Sequence, residues 1–176
     1  MIKQFIAATM LAGLGLSAAS YAAEPVTNPF YAGVEAGVTK NDDYSNTRSS
    51  YGAYLGYNVN QNFAVEAGAR RLSSYDDPWR SLRSDQYSLS VIGSLPVNEK
   101  LSVFGRVGAS HIVNKVSFKA VGQPGVPDFQ LRDEDTHLLL GVGASYKLTE
   151  KVSARLELQR PQSGVKNLSA GVHYAF

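Results

Sequence analysis

The chain has no cysteine. Disulfides are therefore excluded, and so is a lipoprotein anchor on a thioether. Past residue 16 it also has no long apolar run. No later stretch approaches the roughly 18 apolar residues of a membrane-spanning helix, although the mean hydropathy is close to neutral. An excess of one charge is missing as well: 17 basic residues stand against 15 acidic ones, which gives no electrostatic footprint for nucleic acid. A sustained helical period is absent too. What the sequence has instead is strict alternation of apolar with small or polar residues.

The amino-terminal segment reads as a targeting signal. Lys3 supplies positive charge, Phe5 to Leu16 is an apolar core, and Ser20-Tyr21-Ala22 is a small-x-small cleavage site. Residues 1–22 are thus expected to be a signal peptide and residues 23–176 one domain. Removing the first 22 of 176 residues leaves 154, with Lys3 the only charge lost. That length suits a single domain.

Eight alternating segments follow, at about 30–40, 50–59, 62–72, 85–95, 101–115, 136–148, 152–160 and 166–176. The last is the plainest: Leu168, Ala170, Val172, Tyr174 and Phe176 alternate with Ser169, Gly171, His173 and Ala175. One face is apolar and the other small or polar. A soluble protein would expose a sticky edge there. A strand between lipid and a narrow lumen would not, once a neighbour closes its edge. Spanning strands need only about 9–11 residues, half of them polar, so such a barrel escapes hydropathy averages. The fold class expected is all-β, an eight-stranded antiparallel up-and-down transmembrane barrel.

The connections alternate in length. Asn60-Gln61, Pro96 to Lys100 and Thr149-Glu150-Lys151 read as short turns; 41–49, 73–84, 116–135 and 161–165 read as longer loops. With an even strand number, the short turns and both termini share one side, the periplasmic side of a bacterial barrel. The aromatics sort by height. Tyr31, Tyr57, Phe63, Tyr146, Tyr174 and Phe176 fall at the periplasmic ends and Tyr51 and Tyr87 at the outer ends, with Tyr75 and Trp79 in a loop beyond. Two girdles of this kind mark a bilayer's interfaces. The glycine-rich runs 105–110 and 141–145 read as one strand solution used twice. No helix follows either run, as a phosphate cradle would require.

The polar faces carry Glu35, Glu66 and Glu157 against Arg70, Arg106 and Arg155. An eight-stranded barrel is just filled by its inward side chains, and lone charges in so narrow a space cost several kcal/mol. Equal numbers predict a paired network that closes the lumen. The alternative is a narrow passive channel lined by the same groups.

With these features assembled, the chain resembles the small outer-membrane barrels of the OmpA transmembrane-domain and OmpX type, the porin-family outer membrane protein β-barrel domains. The resemblance rests on the signal segment, eight alternating strands, charged lumen and closing Val172-His173-Tyr174-Ala175-Phe176. It implies the outer membrane as location and the surrounding lipids as partners. It also implies that Phe176 is the signal read by the outer-membrane assembly machinery. The periplasmic peptidoglycan-binding domain of full-length OmpA has no counterpart, so a cell-wall tether is not expected. Some outer-membrane barrels modify lipid A with a rim His and a Ser two residues on. Beside His111 that position is Val113, so no catalytic residue is expected, and neither is a cofactor; a lipid A-modifying enzyme using His111 or His137 is the second alternative to a non-enzymatic role. Without cysteine or a spaced His pair, no metal site is expected either.

Lys40, Arg71, Lys115, Arg160 and Lys166 lie where strands leave the membrane, and such a collar could meet lipopolysaccharide phosphates. The function expected is non-enzymatic, structural or surface-interacting, by a monomer whose specificity for an extracellular ligand lies in loops 73–84 and 116–135.

Overall fold

The computed structural model describes residues 27–41, 44–76, 80–118 and 129–176. The signal segment 1–22 and Trp79 lie outside these residues. The strands are β1 Phe30–Asn41, β2 Tyr44–Asn58, β3 Phe63–Asp76, β4 Arg80–Pro96, β5 Leu101–Phe118, β6 Phe129–Lys147, β7 Val152–Gln162 and β8 Val165–Ala175. Each pairs antiparallel with the next, and β8 returns to β1 to close the barrel. The closing ladder runs from Tyr31 opposite Ala175 to Asn41 opposite Val165.

Parity along each strand decides the two surfaces. Outward residues are apolar and exposed, among them Val34, Leu55, Leu89, Leu95, Leu138 and Val142 at 59–66%. Inward residues are buried, and many are polar or charged: Ser50, Glu66, Arg70, Gln86, Arg106, Arg155, Glu157 and Asn167 are all at 8% or below. An inside-out distribution of this kind suits hydrocarbon outside and hydrogen-bond partners inside.

Inside, the periplasmic end is aromatic. Tyr31, Tyr54, Ala64, Ile92 and Phe104 form one buried cluster. Each ring sits over a glycine on the neighbouring strand: Tyr31 over Gly56, Tyr54 over Gly33 and Phe104 over Gly143. These are direct cross-strand pairs, so the missing side chain on one strand makes room for the ring on the next. Tyr31 therefore differs from the expectation of an outer girdle position. It shares parity with Gly33 and Glu35 and is 4% exposed, while Phe30 takes the outward place, its ring tilted against Tyr57 and stacked on Phe176.

The three short turns are built alike. Asn60 Oδ1 accepts from the backbone N–H of Asn62 and Phe63 at 2.8 and 2.7 Å. Asn98 Oδ1 accepts from Lys100 and Leu101 at 2.9 and 2.7 Å. Thr149 Oγ1 accepts from Lys151 and Val152 at 3.3 and 3.0 Å. In each case a side-chain oxygen replaces the partner that the turning backbone lost.

At the other end the expected loops are corrected. β3 and β4 stay paired out to Asp76 opposite Ser81, after an irregularity at Arg71 to Ser73. β5 and β6 stay paired out to Phe118 opposite Phe129. β1 and β2 reach Asn41 opposite Tyr44. The expected loop 161–165 shrinks to Ser163-Gly164, with Gln162 opposite Val165. Gly164 takes φ +77°, the left-handed turn position that suits glycine. The ladders continue because antiparallel pairing satisfies the backbone in water as well as in lipid. Only the apolar alternation stops at the membrane's edge.

The extension is lopsided. β7 pairs with β6 only from Leu140 to Lys147, and β2 pairs with β3 only from Tyr51 to Asn58. Among the described residues, β6 above Leu140 has β5 on one side and no strand on the other. The outer parts of β3 to β6 thus form a sheet standing above the rest of the rim.

Candidate functional site

Two surfaces carry the remaining chemistry: the charged interior and the outer sheet. Inside, the six predicted charges come from β1, β3, β5 and β7 and form two nodes. In the outer node, Arg70 is ion-paired with Glu35 and donates Nη1–H to Asn167 Oδ1 at 2.8 Å. Asn167 passes the link on from Nδ2 to Ser50 Oγ at 2.7 Å and Thr39 Oγ1 at 2.9 Å. Ser169 donates to Glu35 at 3.3 Å.

In the inner node, Glu66 collects three donors. It is paired with Arg106, with Arg155 Nη1 at 2.8 Å, and with the Tyr31 hydroxyl at 3.0 Å. Arg106 also reaches Glu157, Nε to Oε1 at 2.7 Å, and donates to Ser90 Oγ at 3.0 Å. The Arg155 guanidinium lies 4.6 Å from the Tyr54 ring centre and 5.0 Å from that of Phe104. That side chain thus joins the ionic node to the aromatic end by cation–π contact. Glu66 and Glu157 are at 1% and 0% exposure. Between the nodes the gap measures about 10 Å³, at the lower limit for one water molecule.

Sequence reasoning gave the six charges but not their neutral partners. Gln86 donates to Gln159 at 3.3 Å, and Asn167 ties β8 to β1 and β2. Their parity carried the signal, since all three share the polar face of their strands.

The five collar bases do not form one ring. Lys40 is directly opposite Lys166. Arg160 is near the outer end of β7, where its Nη2 donates to Ser163 at 3.0 Å. Arg71 is committed to Asp85, Nε to Oδ1 at 2.8 Å. Lys115 belongs to a different group: it is opposite Arg83 on β4 and Arg132 on β6. Arg83 and Arg132 were missed because the stretches that hold them read as loops, and a loop residue has no predicted face.

Two same-face rows closer to the membrane, His111 Nδ1 is 3.0 Å from Thr136 Oγ1 and Nε2 is 3.6 Å from Glu134. Glu134 is shared with Arg132. At 43% and 39% side-chain exposure for His111 and Glu134, water competes for these contacts. No cluster of three metal-ligating side chains occurs among the described residues. Phe176 is over half exposed, its ring stacked 6.4 Å from Phe30 and 6.5 Å from Tyr174.

A closed eight-stranded antiparallel barrel, apolar outside and ionic within, is the architecture of a small bacterial outer-membrane protein. Residues 8–176 match the family described as outer membrane protein beta-barrel domain, and the chain belongs to that family. It is an outer-membrane protein of the OmpA-like kind. Outer membrane protein P5 of Haemophilus influenzae is 28% identical over 222 aligned positions, which cover 99% of this chain and 61% of that protein. The chain thus spans about three fifths of that relative's length. Among solved structures, Neisserial surface protein A has a TM-score of 0.61 at 20% identity, covering 84% of this chain and 97% of its own. Ail, the attachment invasion locus protein of Yersinia pestis, has 0.57 at 20% identity, covering 85% and 97%. These two likenesses concern the fold.

Proposed function

We propose that the protein is a non-enzymatic outer-membrane anchor. Its interior is closed by the Glu/Arg network, and its outer hairpins present a surface to extracellular partners. The observation that carries this reading is the raised sheet of β3 to β6. Among the described residues, its β6 edge is paired on one side only from Phe129 to Leu139, and a strand edge in water offers backbone donors and acceptors to another chain. Arg132, Asp133, Glu134 and Asp135 on that edge limit indiscriminate pairing, as charges do on edge strands. The closed interior is supported by the pairing of all six charges and the small gap between nodes.

The protein works as a monomer in this reading, because one chain supplies all eight strands of the closed barrel. Lys40, Lys115, Arg160 and Lys166 hold surrounding lipopolysaccharide, with Arg71 contributing less because Asp85 already neutralises it. Phe176, exposed beside Phe30 and Tyr174, is the aromatic group that the assembly machinery reads. Ail has been solved in complex with the heparin analogue sucrose octasulfate, which supports a polyanion as a ligand that a barrel of this fold can take.

The test is a deletion strain carrying either the wild-type gene or a version with residues 116–131 replaced by Asn-Gly. Val116 is opposite Leu131, so the shortened hairpin keeps register. Both versions are expected to restore detergent resistance, and only the wild type to restore adhesion and serum survival. Full restoration of all three by the shortened protein would refute the surface role.

A further inference from the structure

Arg83, Lys115 and Arg132 stand side by side on three adjacent strands. All three are exposed, and by strand parity all three point away from the barrel axis. Like charges directly opposite one another destabilise a sheet. The neighbouring acids relieve the row only at Arg132. Asp85 is held by Arg71, and Glu134, shared with His111, reaches only Arg132 of the three. Asp133 and Asp135 have the opposite parity and face the axis. The raised sheet is therefore two-sided, with bases outward and these acids inward. Among the described residues, Arg83 and Lys115 have no ion-pair partner.

The height of the row selects its ligand. Arg83 lies four positions beyond the girdle residue Tyr87 toward the outer end of β4, about 13 Å along a strand. With strands tilted by about 35–45°, the row sits about 10 Å above the interface. An outward face at that height looks into the sugar layer beside the barrel, not at the extracellular tips. Adjacent strands are about 4.8 Å apart, so three bases span about 10 Å and can engage more than one phosphate.

We infer that Arg83, Lys115 and Arg132 form a binding site for phosphorylated core sugars of the surrounding lipopolysaccharide. The inference rests on reading the outer surface as a contact surface. It adds a site one level above lipid A, of which the five-base collar contains only Lys115. Sulfated polysaccharide arriving from outside is the competing occupant.

The experiment uses the full barrel in detergent micelles, with folding verified by its heat-dependent electrophoretic shift. Wild type and the Arg83→Gln/Lys115→Gln/Arg132→Gln variant are titrated with three probes: lipopolysaccharide with a phosphorylated core, the same material with its core dephosphorylated, and lipid A alone. The variant is expected to bind phosphorylated core about tenfold more weakly, the combined effect of three exposed ion pairs of ordinary strength. The difference should shrink at high salt and be absent with the other two probes. Equal affinity for phosphorylated core would overturn the site, and so would an equal loss with lipid A alone. Heparin is titrated as a fourth probe, and a loss with heparin but none with lipopolysaccharide would overturn the occupant. The Asn-Gly hairpin version retains all three bases and is expected to bind like wild type. Failure of its surface phenotype and failure of this site are thus separate results.

Discussion

Glu66 is the residue on which the interior depends most. It accepts from two guanidiniums and a phenol at 1% exposure. Replacing it with Gln keeps the volume and removes the charge. Arg106 retains Glu157, whereas Arg155 loses the one acid paired with it among the described residues and keeps its ring contacts. Leaving a buried charge uncompensated costs about 3–5 kcal/mol. Glu35 is tied to one guanidinium, and that guanidinium keeps Asn167. Glu35→Gln also leaves a buried guanidinium, Arg70, without its acid, but Asn167 still accepts from it, so the cost should be smaller, about 1.5–3 kcal/mol. Adding Arg155→Met to Glu66→Gln removes the orphaned cation and should recover part of the loss. Reversible urea unfolding in phospholipid vesicles, followed by folded-form electrophoretic mobility, measures all three. A cost below about 1 kcal/mol for Glu66→Gln, or a double variant no more stable than the single, would refute the reasoning.

Three further outcomes follow from local geometry. Gly56→Val places methyl groups against the Tyr31 ring and should cost about 1–3 kcal/mol by overpacking, read in the same unfolding assay. Asn98→Ala removes the acceptor of two turn N–H groups; at about 1 kcal/mol each, it should lower the urea midpoint and slow folding into vesicles, whereas Glu99→Ala should not. Gly164→Ala forces a side chain into φ +77° and should cost about 1 kcal/mol, with Ser163→Ala near neutral as the control.

Within the membrane the fold was readable from alternation, because lipid on one face and a packed interior on the other impose a period of two. That parity alone places Glu35, Glu66, Arg70, Arg106, Arg155 and Glu157 on one surface. The same parity held the signal for Tyr31, which the expectation of a girdle overrode. Outside the membrane the signal vanishes. Arg132-Asp133-Glu134-Asp135 reads as loop because water bathes both faces and no apolar alternation survives, yet its backbone still pairs with β5. Arg83 and Arg132 stayed invisible for the same reason: only register across β4, β5 and β6 brings them to Lys115. Pro161 and Gly164 read as a long loop although they flank or occupy a two-residue turn, since turn chemistry fixes the bend and not its length.

The central claim is that paired charges close the barrel's interior. Single-channel recording of the purified protein in planar bilayers tests it most directly. The account predicts no steady openings for the wild type and the appearance of openings when Glu66, Arg106 and Glu157 are replaced together by Ala. Steady conductance by the wild-type protein would contradict it.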